Sequence, residues 1–154
     1  MIKLVISILV CHCAGIIGSF FTRRAIPEWY ALINKPFFNP PNWIFAPVWA
    51  ILYTMMGIAA YLVWRNGSYS SGVKAALGVF LIQLGLNSLW SVVFFGSRSI
   101  VGGLAVIILL WFAIAWTIIR FFGVSKPAAA LLIPYIAWVS FALFLNVSLA
   151  LINR

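Results

Sequence analysis

The sequence predicts an all-α, polytopic membrane protein: one transmembrane domain over residues 1–154, built as a five-helix bundle with a structured loop between helices 1 and 2. Three observations predict it. Of the 154 residues, 66% are hydrophobic and only 7% are charged, far less charge than a soluble domain carries. The apolar residues fall into five runs, each as long as the roughly 18 residues a helix needs to cross a bilayer. The ten basic residues sit singly or in pairs at the ends of those runs, where long cationic side chains anchor helices at the interface. A net charge of +9 spread in that way does not point to nucleic acid.

The first span covers residues 4–22 and is closed by Arg23-Arg24. Its apolar run is long, the arginines follow directly, and no A-x-A site ends it, so it reads as a span rather than a cleaved signal. Cys11, His12 and Cys13 are consecutive. On a helix their side chains diverge by about 100° per residue and cannot converge on one metal ion, and the cysteines cannot form an ordinary disulfide. The loop 23–42 holds Pro27, Pro36, Pro40 and Pro41. Within it, Glu28 to Asn34 reads as about two helical turns with Pro27 at the first position. Such a loop serves as a lid or as an interfacial anchor through Trp29 and Tyr30.

The second span, 43–64, ends at Arg65-Asn66-Gly67-Ser68, and the third, 73–95, at Gly96-Ser97-Arg98-Ser99. The fourth, 100–122, is followed by a break through Lys126-Pro127, and the fifth runs over 128–152 with Pro127 well placed at a helix start. Orientation is not encoded. Lys3, Arg65, Lys74, Arg120 and Lys126 fall on one side, and Arg23, Arg24, Lys35, Arg98 and Arg154 on the other, so the positive-inside rule gives no answer.

No span carries Asp, Glu, Lys or Arg in its interior, and Glu28 is the only acid in the chain. Proton pumps and voltage sensors need such groups. There is no carboxylate pair, catalytic triad or phosphate-binding glycine loop. Five spans do not divide into two equal inverted halves, as many secondary transporters do.

What the spans do contain is polar and aromatic side chains in stripes. Gln83, Asn87, Trp90, Ser91 and Phe94 share one face of the third helix. Trp49, Tyr53, Met56, Ala60 and Trp64 share one face of the second, and Tyr135, Trp138, Ala142 and Leu145 one face of the fifth. Stripes of this kind facing one another would wall a pocket for a flat, mostly apolar ligand with a few polar atoms; the alternative is plain helix–helix packing. Small residues at Ala14 and Gly18, and at Gly78 and Gly85, mark faces where helices could approach closely, with Gly78 and Gly85 the favoured dimer contact.

The run Lys35-Pro36-Phe37-Phe38-Asn39-Pro40-Pro41-Asn42-Trp43-Ile44-Phe45-Ala46-Pro47-Val48-Trp49-Ala50-Ile51-Leu52-Tyr53 resembles the signature of the translocator protein family, also called TspO/MBR. The stretch from Gln83 to Ser91 is similar to the family's third helix. The stretch from Pro134 to Ala142, followed by Asn146, is similar to its fifth. The resemblance runs along nearly the whole chain. It implies a membrane bundle, commonly a homodimer, that needs no cofactor and binds porphyrins, haem and related tetrapyrroles. It also implies binding of isoquinoline or benzodiazepine-like drugs and, in some members, light-dependent breakdown of protoporphyrin. By matched position, Tyr30 would come from the lid, and Trp49, Asn87, Trp90, Trp138 and Ala142 would line the pocket. Trp49 and Trp138 would be the photochemical pair, since indoles can give electrons to an excited porphyrin. The chain departs from the family in two respects. The sterol motif of animal members needs a Tyr followed by a basic residue near the carboxyl end, and the end here has no Tyr; a looser match, Val63 to Tyr69 to Lys74, straddles a loop. His12 is the only histidine, and nothing in the sequence places it at the pocket. The membrane used is not legible either: helical bundles suit a plasma membrane, whereas family members occupy mitochondrial and some bacterial outer membranes.

Overall fold

The computed structural model describes residues 1–67 and 70–153. It is helical, with no strand among the described residues. The elements are α1 (Ile2–Ala25), α2 (Asn42–Trp64), α3 (Ser71–Ser91), α4 (Ile100–Phe122), α5 (Lys126–Leu131) and α6 (Ile133–Ile152). Five stretches are long and apolar enough to cross a membrane, the last formed by α5 and α6 together. The expected loop boundary near Ser68, the Tyr69 of the looser sterol pattern, and Arg154 of the charge tally lie outside the described residues.

Two expected boundaries shift, each at a proline. The first helix does not stop at residue 22 and restart at Pro27. It continues from α1 through a π-helical turn, Ile26–Tyr30, in which the Ala31 N–H reaches back five residues to the Ile26 carbonyl at 2.9 Å. Pro27 has no N–H for an α-helical bond, and the wider turn accommodates that loss. Tyr30 therefore rides on the end of the first helix, and the open loop shrinks to residues 31–41. A second π turn, Val92–Gly96, prolongs α3. The fifth span breaks at Leu132, two residues before Pro134, because the proline cannot donate to the carbonyl four residues earlier.

Around the bundle, α1 packs on α2 and α3, α3 on α4, α4 on α5 and α6, and α5 on α2. Contact between α2 and α6 is sparse. One half of the bundle is therefore tight. There Val63, Val73, Ala76, Phe121 and Ala128 are buried, and the Phe80 and Phe121 rings stack at 5.6 Å. In the other half, where α2 begins and α1, α3 and α6 end, the helices leave a gap, with Tyr30 and Asn42 at the two ends of the loop in its lining.

The expected helix–helix contact at Ala14 and Gly18 lies inside the chain. The Ser88 hydroxyl donates to the Ala14 carbonyl at 3.2 Å, and a Cβ on Gly18 would sit 2.9 Å from Ser91 Oγ. Gly78 and Gly85 lie on the outer face, with open space where a side chain would be.

Candidate functional site

The gap is a cavity of about 350 Å³ walled by α1, α2, the end of α3 and α6, within the size range of small-molecule sites. Its α1 wall is one stripe: His12, Gly15, Ser19, Arg23 and Ile26, at spacings of three and four that keep side chains on one face. Opposite stand Phe45, Trp49 and Tyr53 of α2. Trp90, Ser91, Phe94 and Phe95 close one side, and Ala142, Leu145, Asn146 and Leu149 another. Arg23 is exposed and forms the one cationic rim residue of this wall.

Close packing fixes the aromatic walls. The Trp49 ring stacks on Tyr53 at 5.5 Å, and Trp90 stacks on Phe94 at 5.2 Å. Gly15 makes room for Tyr53: a Cβ there would lie 2.5 Å from the ring. The Tyr53 hydroxyl donates to Asn87 Oδ1 at 2.5 Å. Asn87 Nδ2 donates to the Tyr135 hydroxyl at 2.9 Å, and that hydroxyl donates to Gln83 Oε1 at 2.9 Å. This buried chain ties α2, α3 and α6 together in a medium that offers no water to replace it. It also engages both ends of the Asn87 amide and the oxygen of Gln83 within the bundle, while Gln83 Nε2 is left without a partner.

Tyr30, Trp49, Tyr53, Trp90, Ser91, Ala142 and Leu145 are thus brought together around the cavity, while Gln83, Asn87, Tyr135 and Trp138 stand outside its lining. Trp138 packs edge-on against Phe45 with ring centres 6.0 Å apart, so Phe45 holds the wall position. Met56 and Ala60 of the α2 stripe are buried in the tight half.

Residues that the sequence reading did not assign also reach the cavity: His12, Gly15, Ser19, Thr22, Arg23, Phe45, Phe95 and Asn146. Their signal was present on the first span, where hydroxyl and cationic residues recur at helical spacing in an otherwise apolar run. His12 diverges from its cysteine neighbours, with Cys11 buried and Cys13 exposed. His12 Nε2 lies 3.0 Å from Thr54 Oγ1, whose own proton goes to the Ala50 carbonyl at 2.9 Å. The imidazole is therefore the donor in that pair. Among the described residues no cluster of three metal-ligating side chains forms.

The loop and the end of the first helix are pinned at three points. The Tyr30 hydroxyl donates to Asn39 Oδ1 at 2.6 Å. Asn153, at the end of α6, grips the backbone of Asn34 in both directions: the Asn34 N–H donates to its Oδ1 and its Nδ2 donates to the Asn34 carbonyl, each at 2.9 Å. Arg98 donates to Glu28 Oε2 at 2.8 Å. Arg98 holds the left-handed backbone region, with φ 53°, a conformation that costs energy for a non-glycine residue.

Comparison with known proteins places this arrangement. Residues 7–152 match the model of the TspO/MBR family. The chain is 47% identical over 154 residues to the tryptophan-rich protein TspO of Archaeoglobus fulgidus, covering 99% of this chain and 98% of that one. It is 41% identical over 139 residues to the translocator protein of Bos taurus, covering 90% and 82%. It is 35% identical over 147 residues to the protein CrtK of Rhodobacter capsulatus, covering 94% and 89%.

Proposed function

The chain belongs to the TspO/MBR family of integral, multi-pass membrane proteins, and from that premise we propose that it binds porphyrins, haem and related flat ligands in the cavity under the loop, as a receptor or transporter. The observation that carries this reading is the wall itself. Trp49, Tyr53, Trp90, Phe45 and Phe94 offer ring faces and edges to a planar apolar body, and Arg23 at the rim suits the carboxylates of a porphyrin. A tryptophan-quenching titration of the purified full chain with protoporphyrin in the dark tests it. Saturable quenching is the expected result; no quenching at any concentration refutes the reading. The exposed Gly78 and Gly85 leave a close-approach surface for the homodimer expected of the family.

A second reading, light-dependent porphyrin degradation, is favoured by one contact. Trp49 lines the cavity with Tyr53 stacked behind it. An excited porphyrin would take one electron from the indole, leaving an indole radical cation and a porphyrin radical anion, and dioxygen would be the oxidant that adds to this activated macrocycle and opens it. Trp49→Phe should keep porphyrin affinity within about tenfold, a change below roughly 1.4 kcal/mol, while light-driven pigment loss falls much further. Trp138→Phe should change pigment loss less, since Phe45 stands between that indole and the ligand. Equal pigment loss in the wild type and Trp49→Phe would remove Trp49 from the chemistry.

A further inference from the structure

A second depression lies on the outer surface and shares no residue with the cavity lining. It is a groove of about 460 Å³ lined by Phe20, Phe21, Arg24, Glu28, Gly96 and Arg98. The end of the first helix forms one side, and the π turn Val92–Gly96, which packs on α1, leads into the other. Gly96 permits the close approach: a Cβ there would lie 2.8 Å from the Phe21 ring. Cys13, Ile17, Phe20, Arg24 and Glu28 recur at spacings of four, three, four and four, one face of a helix, and all five are exposed. That face runs from apolar side chains suited to acyl chains to charged ones at the helix end, the level of the lipid headgroups.

The groove sets two guanidinium groups against the chain's only carboxylate. Arg98 Nη2 donates to Glu28 Oε2 at 2.8 Å, while Glu28 Oε1 makes no hydrogen bond among the described residues. Arg24 lies over the Phe20 ring, 4.9 Å from its centre, and has no ion-pair partner among them. An exposed ion pair adds little stability, yet Arg98 holds a left-handed backbone, φ 53°, that glycine would adopt at less cost. We propose that this groove binds the headgroup of an aminophospholipid from the surrounding bilayer, its phosphate accepting from Arg24 and Arg98 and its primary ammonium donating to Glu28 Oε1. Guanidinium groups suit phosphate oxygens, and Arg24 and Glu28 stand about one helical turn apart, within reach of a headgroup whose phosphate and amine share a short tether. Other headgroups fit less well. An anionic headgroup without an amine sets its charge beside Glu28 with nothing to pair it. A quaternary ammonium has no N–H to donate to Oε1. Exposed Ile17 and Phe20 give the acyl chains a surface, which a soluble phosphoamine would not use. The site is independent of what the cavity holds.

Three lipids with identical acyl chains separate the contacts: phosphatidylethanolamine, phosphatidylcholine and phosphatidylglycerol. The full chain is equilibrated in mixed micelles holding equal amounts of each, and the lipid that stays bound is counted by native mass spectrometry. Phosphatidylethanolamine should be retained about fivefold over phosphatidylcholine, the upper end for one exposed charge pair, and also above phosphatidylglycerol. Glu28→Gln should abolish the preference for the ethanolamine lipid over the choline lipid. Arg24→Gln and Arg98→Gly should lower retention of all three together, the second while allowing the same backbone conformation. The wild-type ranking decides the matter even if a variant fails to fold. Equal retention of the ethanolamine and choline lipids, as for lipid held by the apolar surface alone, overturns the proposal. Retention of phosphatidylglycerol above phosphatidylethanolamine overturns it too, since it would show a plain basic patch. Soluble glycerophosphoethanolamine should fail to displace the bound lipid at equal concentration; displacement there would show that the groove reads a free headgroup and overturn the assignment to lipid.

Discussion

If the loop is a lid, its fastening should govern how quickly a ligand leaves. The Asn153 side chain is the most direct fastening to cut. Asn153→Ala removes both hydrogen bonds to the Asn34 backbone, each 2.9 Å long, together with the one its Nδ2 makes to the Leu149 carbonyl within α6, while the side chain itself is not part of the cavity lining. Both bonds are at the exposed end of α6, where water competes, so each contributes at the lower end of the usual range. Together they are worth about 1–2 kcal/mol. A change of that size moves an open–closed equilibrium by about 5- to 30-fold. Lid opening that limits release raises the release rate by the same factor, and association changes less because the cavity is unaltered. The assay is stopped flow: protein preloaded with protoporphyrin is mixed with excess empty detergent micelles, and recovery of tryptophan fluorescence gives the release rate. Asn153→Asp, which keeps the acceptor for the Asn34 N–H but loses the donor, should fall between wild type and alanine. Unchanged release in Asn153→Ala would refute the lid and reduce the loop to an interfacial anchor.

Two further substitutions probe the cavity itself. Ala142→Leu places a larger side chain in the α6 wall and should weaken porphyrin binding more than tenfold by filling space; normal affinity in the quenching titration would show that this wall does not face the ligand. Gly15→Ala should lower the thermal unfolding midpoint in detergent, by about 1–3 kcal/mol of overpacking, because the new Cβ lies 2.5 Å from a Tyr53 ring whose hydroxyl is tied to Asn87. A midpoint equal to wild type would mean that the ring can move, and that the tie is weaker than its geometry implies.

The span pattern was legible because it depends on length and hydropathy alone, and a bilayer leaves a helix few alternatives. The π turn at Ile26–Tyr30 and the break at Leu132 were not. Both follow from a proline in an apolar stretch, and whether a proline starts, widens or breaks a helix depends on what the neighbouring helices can satisfy. Seven of the eleven expected site residues meet around one cavity. Gln83, Asn87 and Tyr135 were placed there because periodicity identifies the inward face of a helix but not what fills the interior. Inward polar groups can line a cavity or satisfy one another, and these three do the latter together with Tyr53.

That division of the polar groups explains where the cavity lies. The hydrogen-bonded chain from Tyr53 through Asn87 and Tyr135 to Gln83 draws α2, α3 and α6 together, and of its members Tyr53 alone lines the cavity. Among the described residues, the sealed side-chain atoms left without a partner are Gln83 Nε2, Trp90 Nε1, Trp138 Nε1 and Asn146 Oδ1. Had Asn87 faced the cavity, the Tyr53 hydroxyl would lose its acceptor and Tyr135 a donor, at a cost of about 1–3 kcal/mol for each buried group left unsatisfied. The same stripe therefore serves two ends: Gln83 and Asn87 on α3 bond within the bundle, while Trp90, Ser91 and, on the following π turn, Phe94 line the cavity.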